Sequence, residues 1–166
     1  MRSSAAAIDA EQALAQLATA LQPLVAATPD CVMIGIHTGG VWVAERLHAR
    51  FALGTPLGRL NISFYRDDFT RIGLHPSVGP SQIEQDLDER TVLLIDDVLH
   101  TGRTVRAALN ELFDYGRPAA VRLGVLIDRG ARELPFAPDA VGTRIDLDAA
   151  ARIKLTGPEP LALEVR

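Results

Sequence analysis

Apolar positions along the chain follow two rhythms, and their alternation defines the fold class. Leu14, Leu17, Leu21 and Leu24 recur at three- and four-residue steps, which predicts a helix over residues 9–26 with one apolar face, capped by Asp9 and stopped at Pro29-Asp30. "CVMIGI" (31–36) is a continuous apolar run and predicts a buried strand. "HTGG" (37–40) is a turn, and "VWVAERLHARF" (41–51) returns to helical spacing with Val41, Ala44, Leu47 and Phe51 inward. "LGRLNISFY" (57–65) alternates as a half-buried strand does, through Leu60, Ile62 and Phe64. "TVLLID" (91–96) and "AVRLGVLID" (120–128) are two further buried strands, separated by a helix over 104–115 that carries Val105, Ala108, Leu109 and Leu112 and ends at Gly116. "DAVG" (139–142) begins a short fourth strand of this kind, and "RIKLTGPEPLALEV" reads as two short strands around a Gly-Pro turn. Continuous apolar strands that alternate with helices predict an α/β fold, a parallel sheet flanked by helices.

Residues 66–90 break the rhythm. Gly73, Pro76, Gly79 and Pro80 forbid long elements, and a stretch of this length without periodicity is the sequence signature of a lid or of disorder. With 166 residues, the remainder suffices for one domain with its own core, so residues 1–166 are expected to be a single unit.

Composition narrows the chemistry. The net charge of -4 gives no general attraction to nucleic acid or to an anionic membrane, although a local basic face is compatible with it. Lys154 is the one lysine. Cys31 is the one cysteine, so no intrachain disulfide forms and nothing suggests a secreted framework. Asp9, Glu11, Gln12 and Gln16 interrupt the Ala-rich start, which therefore does not read as a signal peptide, and no segment is apolar enough to span a bilayer. The expectation is a cytoplasmic protein with no membrane partner.

The candidate chemistry lies where predicted strands end. In an open parallel sheet, ligands bind beyond the carboxyl ends of the strands. One strand ends at His37-Thr38-Gly39-Gly40, one at Asp96-Asp97 and the loop through Thr104, and one at Asp128-Arg129-Gly130. If these strands are neighbours, the three loops share one crevice. Gly102 lets a phosphate approach the backbone, the start of the next helix offers unpaired N–H groups and a positive dipole end, and Thr101 and Thr104 add hydroxyls. Asp96 and Asp97 do not hold that phosphate, because like charges repel. They suit neutral hydroxyls or a metal ion. Phosphate beside a diol describes a ribose 5-phosphate. Gly39-Gly40, ahead of another helix, would offer N–H groups to a second anion.

Taken singly, each feature has a plainer reading. Asp96-Asp97 reads as a solvated turn with Asp97 as a cap, Gly39-Gly40 as a plain turn, His37 as a loop residue, Trp42 as packing and Cys31 as core. The joined pattern "VLLIDDVLHTGRT" (92–104) is far more specific. No G-x-x-x-x-G-K-[ST], G-x-G-x-x-G or G-x-S-x-G occurs, and His37, His48, His75 and His100 show no metal-site spacing.

That joined pattern resembles the phosphoribosyl-pyrophosphate (PRPP) motif of type I phosphoribosyltransferases. "MIGIHTGGVWVAERL" (33–47), "NISFYRDD" (61–68) and "ALNELFDYGRPAAVRLGVLIDRGARELP" (108–135) extend the similarity, over roughly residues 8–142, to the PyrR-type pyrimidine operon regulators with uracil phosphoribosyltransferase activity. The resemblance implies the type I fold, a flexible lid over about 66–90 and a small hood to which about 143–166 contribute. By the same resemblance Asp96 and Asp97 would be catalytic and bind the ribose hydroxyls. Val98, Leu99, His100, Thr101, Gly102, Arg103 and Thr104 would complete the ribose and 5-phosphate site. His37, Thr38, Gly39 and Gly40 would form the pyrophosphate loop. Tyr65, Arg66, Asp67 and Asp68 would open the lid, with Arg66 catalytic, and Ile127, Asp128 and Arg129, with the tail around Ile153 to Leu155, would surround the base. The resemblance further implies Mg²⁺ carried by PRPP rather than in a protein cage, uracil and UMP as ligands, messenger-leader RNA of the pyr operon as a partner, and a homodimer or higher homo-oligomer. The readings that compete with uracil transfer are a nucleotide-sensing RNA-binding attenuator without catalysis and a transferase for another base. The chain departs from the family in its loop at 37–40, where members often carry Lys and Arg, and at Ala131, where the PyrR type often has His.

Overall fold

The computed structural model describes residues 7–62 and 80–166. Helix α1 (Ala10–Ala27) starts where Asp9 accepts hydrogen bonds from the N–H groups of Glu11 (2.9 Å) and Gln12 (3.1 Å), a cap that stabilises a helix by about 1 kcal/mol. Leu14, Leu17 and Leu21 are buried, as their spacing predicts, and Leu24 packs at the margin of the same layer. Strand β1 (Val32–Ile36) leads into α2 (Gly39–Phe51), followed by β2 (Gly58–Leu60), β3 (Thr91–Leu99), α3 (Arg103–Leu112) with a 3-10 turn at Phe113–Tyr115, β4 (Ala120–Asp128), β5 (Ala140–Arg144) and the pair β6 (Ile153–Thr156) and β7 (Ala162–Val165).

Among the described residues, five strands form one parallel sheet in the order β2-β1-β3-β4-β5. The chain builds leftward from β1 and rightward from β3, so the switch point lies between those two strands, where an open α/β sheet leaves a crevice. One core layer holds α1 and α2 against Met33, Leu93, Ile95 and Leu126. The other holds α3 against Val32, Ile34, Val92, Leu94 and Val125. Alternate residues of β3 thus serve opposite layers, and β1 and β3 read as uninterrupted apolar runs because both faces are covered. Cys31 is fully buried, in line with a core role. β6 and β7 form a separate antiparallel pair whose Leu155 and Leu161 reach the α1–α2 layer.

Three of the boundaries that differ from the sequence expectation bear on the carboxyl edge of the sheet, each for a physical reason. Helix α2 begins at Gly39 rather than at residue 41, since Thr38 is its cap and its carbonyl accepts from the Val41 N–H (3.2 Å). The half-buried strand expected over 57–65 is confined to Gly58–Leu60 among the described residues, and Phe64 and Tyr65 lie outside them. β3 does not stop at Asp96 but runs through both carboxylates to Leu99, pairing Val98 with Ile127 and Leu99 with Asp128.

The lid expected over 66–90 falls largely on residues 63–79, outside the described ones, and with it Tyr65, Arg66, Asp67 and Asp68. The described part, 80–90, is pinned to the body and is not a free lid. Gln82 and Arg59 exchange both backbone hydrogen bonds (2.9 and 2.7 Å), Ser81 Oγ bonds to Glu111 (3.1 Å), and Leu87 is fully buried in the α3 layer. A leucine buried in this way secures a segment that has no periodicity to announce it.

The loops beyond β3 and β4 are braced by one side chain. Arg132 donates from Nε to the Phe136 carbonyl (2.9 Å), from one terminal nitrogen to the His100 carbonyl (2.9 Å) and from the other to Asp128 Oδ2 (2.9 Å). Asp128 Oδ1 accepts from the Gly130 N–H (2.9 Å). Burial pushes the Asp128 carboxyl up, but the bonds from Arg132 and Gly130 and the charges of Arg132 and Arg144 outweigh it and hold the group below its ordinary 3.8. A carboxyl lowered on folding contributes stability that is present above the unfolded value and lost as pH falls through the folded one. Arg132→Gln is therefore expected to destabilise the protein at pH 7 by roughly 1–3 kcal/mol, with the difference from wild type shrinking below pH 3.8. Urea unfolding at pH 7 and pH 3 measures this, and a pH-independent difference would assign the effect to packing instead.

Candidate active site

Strand adjacency brings the three expected loops together. β1, β3 and β4 are consecutive in the sheet, so His37–Gly40, Asp96–Thr104 and Asp128–Arg129 all lie at its carboxyl edge.

The end of β3 has an unusual backbone. Asp96 Oδ1 accepts from the N–H of Asp97 (2.8 Å), and Asp97 Oδ1 accepts from the N–H of Val98 (2.8 Å). Each carboxylate thus holds the amide that follows it. The pairing with β4 has Asp96 opposite Val125 and Val98 opposite Ile127, with no partner for Asp97 between them. The side-chain alternation shifts here by one residue. Ile95 and Val98 both face the α1–α2 layer, where strict alternation would place them on opposite sides. Asp96 is 5% exposed, whereas Asp97 is half-buried.

The turn from β1 into α2 presses against this segment. A Cβ on Gly39 would collide with the Asp97 carboxylate, and one on Gly40 would lie 2.7 Å from the Ile95 carbonyl oxygen and 3.1 Å from Asp96 Cα. The glycines therefore permit the approach of two backbones. The His37–Thr38 peptide is cis. The first N–H groups of a helix lack intrahelical acceptors, and Thr38 caps none of them with its side chain. Burial, followed by the charge of Arg59, holds the half-buried His37 imidazole below its ordinary 6.5. Arg59 stands on β2 and is paired with Glu45 (3.1 Å).

The loop after β3 is tied down by local hydrogen bonds and close packing. Gly102 adopts φ 94° at the cap of α3, where an added Cβ would meet Phe136 at 3.0 Å and strain the left-handed backbone. The Thr101 carbonyl accepts from the N–H groups of Glu133 and Leu134 (both 2.9 Å), and Thr101 Oγ1 accepts from the Arg103 N–H (3.2 Å). Arg103 pairs with Glu133 (2.8 Å) at the surface. Thr104 sits half-buried in the first turn of α3, so hydroxyls and helix N–H groups share one end of the loop.

A cavity of about 430 Å³ opens beside these loops, between Val98 and His100 on one side, Arg129, and Ile153, Lys154, Arg152 and Arg166 of the β6–β7 pair. Arg129 is 7% exposed and donates to the carbonyls of Ala151 (2.8 Å) and Asp148 (3.3 Å). Burial, then the charge of Arg129, pushes His100 below its ordinary 6.5 and favours the neutral imidazole. Ile127 is fully buried in the core and does not line the cavity, and Asp128 turns toward Arg132. Of the three strand-end residues expected around a base, only Arg129 reaches it. Trp42 packs against Gly157 in the hairpin turn, where an added Cβ would meet its ring at 3.0 Å. Among the described residues, no group of three or more His, Cys, Asp and Glu is arranged to hold a metal, and no helix is long and apolar enough to cross a membrane. Reading the sequence gave no role to Arg132, Arg152 or Arg166. Arg132 lies within "DRGARELP", a stretch noted for its similarity, which was the available signal for that residue.

Residues 4–157 match the family described as the phosphoribosyl transferase domain. Bifunctional protein PyrR of Nitrosococcus oceani is 59% identical over 136 residues, covering 81% of this chain and 77% of that protein. Bifunctional protein PyrR of Pseudomonas paraeruginosa is 60% identical over 131 residues, covering 79% and 77%. Among solved structures, a purine phosphoribosyltransferase from Pyrococcus horikoshii superposes with a TM-score of 0.59 at 23% identity, covering 82% of this chain and 83% of its own. A hypoxanthine-guanine phosphoribosyltransferase from Bacillus anthracis superposes with 0.66 at 16%, covering 87% and 83%. At those identities the two structures speak for the fold alone. The parallel sheet, the carboxylate pair beside the glycine loop at the start of α3 and the similarity over four-fifths of the chain agree: this protein belongs to the type I phosphoribosyltransferase family, in its PyrR-type branch.

Proposed function

We propose that the protein transfers the phosphoribosyl group of PRPP to uracil, giving UMP and pyrophosphate, and that UMP in turn controls its binding to the leader RNA of a pyrimidine operon. The observation that carries the first half is the carboxylate pair Asp96-Asp97, lodged between the glycine turn at the start of α2 and the Thr101–Thr104 loop at the start of α3. Two helix N-termini for two anionic groups, with hydroxyl acceptors between them, match the order of groups in PRPP.

In this reading Thr101, Gly102, Arg103 and Thr104 hold the 5-phosphate, and Asp96 and Asp97 accept from the ribose hydroxyls. The N–H groups of Gly39 and Gly40 face the pyrophosphate, with Thr38 and His37 at its side. The chain supplies no lysine or arginine within this loop, so its hold on pyrophosphate comes from backbone dipoles. The Asp97 carboxylate beside Gly39 is an oxygen donor of the kind that suits a hard divalent cation, and Mg²⁺ arriving with PRPP would rest there and neutralise charge on the leaving group.

As the bond between C1 and pyrophosphate breaks, positive charge grows on the ribose. Asp96 and Asp97 favour that charge and keep the sugar oriented, while the α2 N-terminus favours the charge on the departing pyrophosphate. Arg66, in the lid outside the described residues, would add a cation on that side. The uracil ring nitrogen then attacks C1 from the cavity at Val98 and His100. Closure of the lid would keep water from taking uracil's place.

For the regulatory half, the support is the PyrR-type family, and the basic residues around the β6–β7 pair offer a local positive surface on a chain of net charge -4. Family likeness is also the support for a cytoplasmic homo-oligomer.

A panel of uracil, hypoxanthine and guanine with PRPP and Mg²⁺ tests the activity. UMP formation alone is expected, and a folded protein that turns over only purines would reassign the base. Asp96→Asn with Asp97→Asn should lower kcat by about a hundredfold or more while far-UV circular dichroism stays unchanged. Gly39→Ala, by displacing the Asp97 carboxylate, should cost roughly tenfold to a hundredfold in kcat/KM for PRPP. Filter binding to the pyr leader RNA should show UMP-dependent affinity that falls steeply with salt. Retention of full affinity without UMP would remove the switch.

A further inference from the structure

The loop that the proposed reaction needs for the 5-phosphate has few fixings of its own. Gly102 has wide backbone freedom, and Thr101 Oγ1 is engaged by the Arg103 N–H (3.2 Å). The fixings come from residues 129–136, which follow β4. The Arg129 N–H donates to the Leu99 carbonyl (3.1 Å), and the N–H groups of Glu133 and Leu134 both donate to the Thr101 carbonyl (2.9 Å each). Between them, a terminal nitrogen of Arg132 donates to the His100 carbonyl (2.9 Å). Successive carbonyls at 99, 100 and 101 are therefore drawn toward one segment.

A trans peptide is planar, and its carbonyl and N–H point in opposite directions. Holding the His100 and Thr101 carbonyls thus turns the N–H groups of Thr101 and Gly102 away from residues 129–136. Among the described residues, neither of these N–H groups donates to a protein acceptor. Their direction is set by hydrogen bonds made behind them. Phe136 closes the same side, 3.0 Å from where a Cβ on Gly102 would lie, and its carbonyl is held by Arg132 Nε (2.9 Å).

Arg132 reaches these acceptors because the chain reverses just before it. Gly130 (φ 68°) and Ala131 (φ 55°) are both left-handed, the second without the freedom of glycine. The other terminal nitrogen of Arg132 rests on Asp128 Oδ2 (2.9 Å), at the end of β4. Every guanidinium nitrogen thus has a protein acceptor, and Arg132 acts on a ligand through the loop rather than by touching it. The glycine turn at 37–40 is placed differently, by its contact with Asp97 and Ile95, and makes no hydrogen bond to 129–136 among the described residues.

We infer that Arg132 is a positioning residue for the 5-phosphate end of PRPP, aiming the Thr101 and Gly102 N–H groups by holding the main chain on either side of them. The inference rests on the reading of the protein as a phosphoribosyltransferase and adds to it a residue that serves one end of the substrate and not the other. Ribose 5-phosphate represents the first end and Mg²⁺-pyrophosphate the second, so calorimetry on the full chain titrates the two separately. Arg132→Gln should weaken ribose 5-phosphate binding about tenfold and leave Mg²⁺-pyrophosphate binding unchanged. With uracil as acceptor, KM for PRPP should rise by a similar factor while kcat stays within about twofold. Arg132→Lys keeps a cation beside Asp128 but has one nitrogen for acceptors that lie in different directions. It should regain part of the stability in urea and none of the ribose 5-phosphate affinity, and it carries the same test if Arg132→Gln does not fold.

Val25→Ala, in the core near the far end of α1, lowers stability without touching the loop and should leave both affinities as in wild type. Equal weakening of both ligands by the Arg132 variants overturns the inference, because a generally loosened fold would do that. So does wild-type ribose 5-phosphate affinity in either variant, a fall in kcat with KM unchanged, the same selective loss in Val25→Ala, or no saturable ribose 5-phosphate binding to the wild type. A selective loss in the Arg132 variants of a protein that transfers to no base would leave this inference standing and remove the transferase reading. Turnover of uracil with ribose 5-phosphate affinity untouched by Arg132→Gln would do the reverse.

Discussion

Everything at the carboxyl edge of the sheet depends on two backbones lying closer than side chains allow. The turn into α2 rests on the end of β3, with Gly39 against the Asp97 carboxylate and Gly40 against the Ile95 carbonyl. That contact fixes the direction in which the first N–H groups of α2 point, and it fixes them relative to the carboxylates. β3 meets the approach by an adjustment of its own. Asp96 and Asp97 take the amides of the next residues, and the pleat shifts by one between Ile95 and Val98. A strand that kept strict alternation would set the two carboxylates on opposite faces of the sheet.

The interior was legible because it is periodic. β1 and β4 lie under helices on both faces, so "VMIGI" and "LGVLI" had to be free of polar residues, and α1 and α3 had to carry apolar stripes. The end of β3 was misjudged because two aspartates resemble a loop. Their hydrogen bonds are local, to the next amide, and a local bond leaves no trace in hydrophobic periodicity. Leu87 was missed for the opposite reason, as a lone apolar residue in a polar stretch.

The site divides along the same line. Its two glycine loops are short and contiguous in sequence, at 37–40 and 96–104, and the second lies wholly within one motif. The walls of the neighbouring cavity come from residues 98, 100, 129, 152–154 and 166, and only the packing of the β6–β7 pair on the sheet assembles them. Arg129 was expected near the base from its place at the end of β4. The company it keeps was not readable, because scattered arginines look alike in sequence whether they face water or share a cavity. Arg132 is a further example. One guanidinium spans three loop segments, at His100, Asp128 and Phe136, and nothing in its neighbours announces three acceptors.

The bridge between Gln82 and Arg59 has a consequence at the rim of the sheet. β2 is the outermost strand on its side, and an outer strand ordinarily presents a row of unsatisfied amides and carbonyls to any extended peptide. Here the N–H and C=O of Arg59, the central residue of a three-residue strand, are both occupied by Gln82. The segment entering at Pro80 therefore acts as a selvedge, closing the weave at the thread from which it would unravel or be lengthened. Among the described residues, copies of this chain that meet along that rim find the Arg59 amide and carbonyl already taken, so a strand added there would first have to displace Gln82.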